Sequence, residues 1–160
     1  MFDIANIHPS MALTTPAGDD VEIDLDMVPL VRRLWALGLR TGGCCQDLGA
    51  SIRCGPGWAT GPGRQRHADF YAGQVWLKMP AEDARAMLDM LARVLPQIKD
   101  RLSRWTRADA WEVFVYLVAD ERRVVPSCWA QIHFPKAQLL EVTEALSVYH
   151  PPVVNTQGES

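Results

Sequence analysis

The chain has 160 residues and a formal net charge of −3. This length fits one domain with its own core, and the acidic balance argues against duplex DNA as a partner, because DNA binding depends on neutralising phosphates. No apolar run approaches the roughly 20 residues of a membrane helix, and the N-terminus lacks the basic and apolar regions of a signal peptide. Four cysteines, two of them adjacent, do not resemble a secreted disulfide framework. We therefore expect a cytoplasmic protein without a membrane partner.

The chain begins with a stretch that lacks periodicity. Residues 1–20 are predicted to be an N-terminal arm, residues 21–150 a single α+β domain, and residues 151–160 a mobile polar tail. Within the domain, apolar residues recur at helical spacing from Met27 to Trp35. This pattern predicts a first helix that packs against the core.

The next feature is a glycine-rich segment, residues 48–73, which is interpreted as a long loop. Its three arginines, Arg53, Arg64 and Arg66, are opposed by one acidic residue, Asp69. Long loops in compact domains are usually functional or disordered. Glycine lets backbone amides approach a ligand closely, and arginine pairs with phosphate or carboxylate. The segment predicts a site for a small anionic ligand, although arginines in such a loop are also found simply as solvated charges.

The second half of the chain alternates strands and helices. Residues 74–79 and 128–134 alternate between apolar and polar side chains, as half-buried strands do, whereas residues 111–119 are apolar on both faces and predict a central strand. A proline opens a helix after each alternating strand. The resulting β-α-β-β-α order predicts a ferredoxin-like, mainly antiparallel sheet with helices on one face.

Strand alternation also predicts a face directed away from these helices. Its members are polar or aromatic: Gln74, Trp76, Lys78, Trp129, Gln131 and His133. Exposed patches of this kind usually mark interaction sites, so we expect the glycine-rich loop, a second subunit or a ligand to cover it. Alternatively, the tryptophans form a second small core under the loop.

The adjacent cysteines suggest a different chemistry. Cys45 could act as a nucleophile if His133 served as its base and Asp47 oriented that base. A zinc site could combine Cys44 or Cys45 with Cys54, His67 or Cys128, but no CxxC or HxxxH spacing occurs. We therefore predict no metal and no cofactor. Gln46 and Asp47 are candidates for polar contacts with a ligand.

The segment DLDMVPLVRRLWALGLRTGGCCQDLG, with QIHFP downstream, resembles a family of small uncharacterised proteins from actinobacteria and their phages. In that family a Leu-Trp helix precedes a T-x-x-S-C-Q-D-like motif. Thr41, Cys45, Gln46 and Asp47 match this motif, while Cys44 stands where a serine is usual. The resemblance implies a phage or bacterial accessory protein, and one role compatible with it is the sequestration of a host signalling nucleotide.

Together these observations predict a non-enzymatic binder of a small anionic, nucleotide-like ligand that assembles as a homodimer through the uncovered sheet face. The arginines would hold phosphates, and the tryptophans would stack a base. The residues expected to contact the ligand are Arg53, Arg64, Arg66, Trp76, Lys78, Trp129, Gln131, His133, Gln46 and Asp47. The alternatives are a hydrolase or transferase that uses Cys45 and His133, and a binder of single-stranded nucleic acid, which the acidic charge opposes.

Overall fold

The computed structural model describes residues 7–55, 61–103 and 108–150. The described chain begins with an antiparallel hairpin of β1 (Ser10–Thr14) and β2 (Asp20–Asp24). Gly18, in the connecting turn, has a φ of 96°, a conformation that favours glycine. Part of the expected N-terminal arm is therefore a strand, and the predicted tail, 151–160, lies outside the described residues.

A second sheet has four antiparallel strands. Their order is β3 (Gly43–Cys45), β4 (Gln74–Pro80), β6 (Arg123–Pro135) and β5 (Glu112–Asp120). The α+β class is confirmed, while the ferredoxin-like arrangement is not. The prediction of a central strand at 111–119 is wrong, because β5 lies at the sheet edge, where its apolar side chains are exposed.

The main core lies between one face of this sheet and three helices, α1 (Val28–Ala36), α4 (Ala81–Val94) and α6 (Leu139–Val148). The helices contribute apolar stripes, and the sheet contributes the inward residues of β4 and β6. A short helix, α5 (Ile98–Ser103), follows α4. Among the described helices, none has the length and apolar character needed to cross a membrane.

The glycine-rich segment is not a long loop in its described part. It forms α2 (Leu48–Cys54) and α3 (Pro62–Phe70), while residues 56–60 of the expected loop lie outside the described ranges. A Cβ atom at Gly49 would lie 2.5 Å from the carbonyl oxygen of Ala68, so this glycine permits close packing of the two helices. Glycine here serves helix packing rather than loop flexibility.

These two helices cover part of the opposite face of the sheet. Leu48, Ile52 and Ala68 form a second apolar cluster with Tyr71 and Trp76. The expectation of helices on one face only is therefore wrong. The segment expected to cover the polar face does so as a helix pair.

Candidate functional site

Strand pairing confirms the predicted composition of the second face. Trp76 is paired with His133 and Lys78 with Gln131 across β4 and β6. Phe114 of β5 is paired with Gln131 and extends the aromatic surface toward the edge. Because residues that face each other across two strands lie on the same side of a sheet, these side chains share one surface.

A cavity of about 240 Å³ lies between this surface and the helices α2 and α3. The sheet and both helices contribute to its wall, which is mainly aromatic. The lining residues are Leu48, Ile52, His67, Tyr71, Trp76, Phe114, Tyr116, Gln131 and His133.

The rings around the cavity hold one another in place. His133 stacks on Phe114 with ring centres 5.5 Å apart and meets Tyr71 at 4.8 Å. Tyr116 contacts the edge or face of Phe114 at 4.9 Å in a T-shaped arrangement. The Trp76 indole N–H donates to the Gln131 side-chain oxygen at 2.5 Å. The aromatic wall is therefore ordered by its own contacts, which reduces the entropy lost on binding a ring.

His133 is the titratable group buried in this wall. Its side chain is 5% exposed, and burial lowers its pKa to about 4. Its Nδ1 atom is buried without a hydrogen-bond partner among the described residues. At neutral pH the cavity wall therefore contains an uncharged imidazole whose Nδ1 atom is enclosed by the protein without a partner among the described residues, which is unusual for a buried polar group.

Tyr71 is the second group with an altered acidity. Burial raises its pKa to about 12, with a further contribution from Glu112, whose carboxylate accepts the Tyr71 hydroxyl at 3.3 Å. The phenol of Tyr71 therefore stays neutral at physiological pH.

The three arginines do not gather at the indoles. Arg64 donates from Nε and Nη2 to the carbonyl oxygens of Ile52 and Gly55, both at 2.7 Å, and so caps the end of α2. Arg53 pairs with Asp69 at 3.0 Å, and Arg66 is exposed on α3. The charge pattern that predicted a phosphate site corresponds in the structure mainly to helix-stabilising contacts.

Trp129 and Lys78 belong to a different part of the face. The Lys78 ammonium lies 4.9 Å from the ring centre of Trp129, whose indole packs against the backbone of Gly42. Trp129 lines a separate cavity of about 890 Å³ together with Trp35. The structure therefore assigns Trp76 and Trp129 to different cavities, and one ligand ring does not stack on both.

Gln46 and Asp47 have structural contacts. Asp47 caps α2 through its Oδ1 atom, which accepts from the amides of Ala50 and Gly73 at 3.1 and 3.2 Å. Gln46 is buried, and its side-chain oxygen accepts from the amide of Asp26 at 3.1 Å. Both side chains join segments of the fold, as the cap and turn preferences of such residues allow.

Cys45 is not adjacent to His133. Strand β4 separates them, so their backbones lie about 10 Å apart at two strand spacings. The nearest side-chain partner of the Cys45 sulfur is the Ser51 hydroxyl at 3.0 Å, which in turn lies 3.4 Å from Nε2 of His8. Burial raises the pKa of the Cys45 thiol, an environment opposite to that of reactive cysteines. Sequence reasoning missed His8 because no pattern links it to Cys45.

The fold and the cavity define an α+β domain with a small, mainly aromatic cavity. Comparisons with protein families, with curated proteins and with solved structures each found no match to this chain.

Proposed function

We propose that the protein is a non-enzymatic binder of a small nucleotide-like ligand whose planar ring occupies the cavity beside Trp76 and His133. The observation that carries this proposal is the cavity wall of ordered rings, in which His133 contacts both Phe114 and Tyr71 beside the Trp76 indole. A heterocyclic base offers a flat face that fits against these rings.

The size of the cavity limits what is enclosed. Pockets that bury drug-sized ligands have volumes of about 300–1,000 Å³. A cavity of about 240 Å³ suits a single ring system, so a sugar or phosphate would extend outside it. Arg53 and Arg66 are exposed on the neighbouring helices, where salt screens their attraction for an anion. We therefore expect the ring to supply most of the affinity and the phosphate little.

Binding without chemical conversion is favoured over the enzyme alternative. Strand β4 lies between Cys45 and His133, so they do not form a catalytic pair. Asp47, the expected orienting carboxylate, caps α2. A protein that binds such a ligand and returns it intact would sequester it, which is the role compatible with the resemblance to phage and actinobacterial proteins.

The test is titration calorimetry with a series of nucleobases, nucleosides and mononucleotides. We expect a nucleobase to bind, and the phosphate to change its affinity by less than about tenfold, since exposed ion pairs contribute about 0–1 kcal/mol. Tyr116→Ser should weaken binding, whereas Leu140→Ser, at an exposed position on α6, should leave it unchanged. Equal affinity in both variants, or release of a chemically altered ligand, would contradict the proposal. Binding of oligonucleotides alone would support the single-strand alternative.

We further propose that the expected homodimer forms through edge strand β5 rather than through the covered face. Leu117 is 69% exposed in this strand, beside exposed Tyr116 and Val118. A long apolar edge strand can pair with a second copy of itself around a two-fold axis. Leu117→Lys should shift the mass measured by light scattering from dimer to monomer. Leu140→Lys is the control, since Leu140 is 68% exposed on α6, and an unchanged mass in both variants would contradict this interface.

A further inference from the structure

We propose that His8, Asp24 and Cys45 form a binding site for a divalent transition-metal ion, and that Zn²⁺ fits this set best. One ligand atom from each residue lies within 4.8 Å of the others. His8 precedes β1, Asp24 ends β2 and Cys45 ends β3, so the fold brings together three distant parts of the sequence. Imidazole, carboxylate and thiolate are the side-chain ligands that zinc takes in proteins.

The spacing is compatible with coordination after a small adjustment. Zinc–ligand distances of about 2.0–2.3 Å in a tetrahedron place the ligand atoms about 3.5 Å apart. The three atoms therefore have to close by about 1 Å, which side-chain rotation supplies because His8 and Asp24 are only half-buried. Three protein ligands leave a fourth position for water or for the Ser51 hydroxyl, which lies 3.0 Å from the Cys45 sulfur.

Neighbouring backbone groups orient two of the ligands. The amide of Gln46 donates to Oδ2 of Asp24 at 2.8 Å, and a His8 ring that holds the ion through Nδ1 would donate from Nε2 to the carbonyl oxygen of Asp47, 3.2 Å away. Contacts of this kind around metal ligands fix their orientation. The segment that follows Cys45 thus positions the other two side chains.

Charge distinguishes a metal site from a nucleophilic cysteine. Burial, and the repulsion of the Asp24 carboxylate in addition, disfavour a bare thiolate at Cys45. The same carboxylate and a thiolate together balance the charge of a divalent ion, and a neutral site costs less to bury than a charged one. The cluster is therefore suited to a cation.

A bound ion would join the β1–β2 hairpin to the edge of the larger sheet. Asp24 and His8 lie at the base of the hairpin, and Cys45 lies on β3. Because a metal that binds the folded state stabilises it, the ion should raise the melting temperature of the whole domain.

The experiment uses the full chain stripped with EDTA and titrated with Zn²⁺ and with Co²⁺, whose thiolate charge-transfer absorption reports a cobalt–sulfur bond. We expect one ion per chain, this absorption band, and a higher melting temperature with Zn²⁺. Cys45→Ser should abolish the band, and Asp24→Asn, which keeps an acceptor for the Gln46 amide, should weaken Zn²⁺ binding by more than about 100-fold, beyond the usual effect of outer contacts.

Cys54→Ser and Cys128→Ser are matched controls, because both cysteines are exposed and free. The band should persist in each. Persistence of the band in Cys45→Ser together with its loss in a control would overturn the proposal and indicate an adventitious ion only. Binding of less than one ion per chain would overturn it in the same way. If Cys45→Ser fails to fold by circular dichroism, His8→Asn and Asp24→Asn decide, and unchanged Zn²⁺ affinity in both overturns the site.

Discussion

The cavity beside Trp76 and the cluster around Cys45 lie on the same face of one sheet but differ in chemistry. The cavity is lined mainly by aromatic rings, whereas the cluster combines a thiol, an imidazole and a carboxylate. Helix α2 separates them, with Leu48 and Ile52 lining the cavity and Ser51 contacting Cys45. Because successive residues of a helix are turned by about 100°, Ser51 points away from its neighbour Ile52, and one short helix contacts two unlike environments.

The largest expected loss of stability comes from a substitution that forces α2 away from α3. Gly49→Ala places a methyl group 2.5 Å from backbone atoms of Ala68 and Ala72, which cannot yield as a flexible side chain does. We expect a loss of at least about 3 kcal/mol in the free energy of unfolding, at the upper end for overpacked sites, together with loss of ring binding. Urea denaturation and calorimetry measure both quantities.

Gly63→Ala is the control for this prediction. A Cβ atom at Gly63 meets nothing within 4 Å, and the residue lies in α3. Alanine there should stabilise the protein by up to about 1 kcal/mol, in keeping with helix propensity. Similar destabilisation by both substitutions would show that the packing of α2 on α3 does not depend on Gly49.

The buried imidazole of His133 predicts that the stability of the protein depends on pH. The pKa of His133 falls from 6.5 to about 4 on folding, so between these values the unfolded chain holds a proton that the folded chain does not. The free energy of unfolding should therefore decrease as the pH falls from 6.5 to 4, by up to about 3 kcal/mol.

His133→Phe retains the stack between Tyr71 and Phe114 and should remove this part of the pH dependence. Urea denaturation of both proteins across the window measures the difference. An identical slope in the variant would mean that His133 does not stay neutral in the fold.

Arg64 and Arg66 differ in their contacts although they lie on the same helix. Arg64→Ala removes two hydrogen bonds to the end of α2 and should cost about 2 kcal/mol, as charged hydrogen bonds do. Arg66→Ala, at an exposed position, should change stability by less than about 0.5 kcal/mol. Thermal and urea denaturation separate the two. If Arg64→Ala leaves stability unchanged but abolishes nucleotide binding, the phosphate role expected from the sequence is correct and the capping role is wrong.

Strand periodicity predicted one half of the site. The alternation in β4 and β6 was sufficient to place Trp76, Gln131 and His133 on one face, because the period of two residues is a local property of the strand. The helix side of the cavity was not predicted. Gly49 suggested a loop, since sequence alone does not distinguish a glycine that allows flexibility from one that allows two helices to touch.

Features that depend on long-range packing were also missed. Strand β5 is apolar on both faces like a central strand, yet the order of the sheet leaves it at an edge. His8, Asp24 and Cys45 follow no spacing rule, because a hairpin and a separate strand have to meet before their side chains are close. Neither fact is encoded in a local pattern.

We propose that the planar ring of the ligand binds in the cavity beside Trp76 and not in the larger cavity lined by Trp35 and Trp129. The most direct measurement is a nuclear magnetic resonance titration that follows the indole N–H signals of the six tryptophans as a nucleobase is added. We expect the signal of Trp76, whose N–H donates to Gln131, to shift to saturation while those of Trp35 and Trp129 stay in place. Shifts confined to Trp35 and Trp129, or no shift for any nucleobase at millimolar concentration, would contradict it.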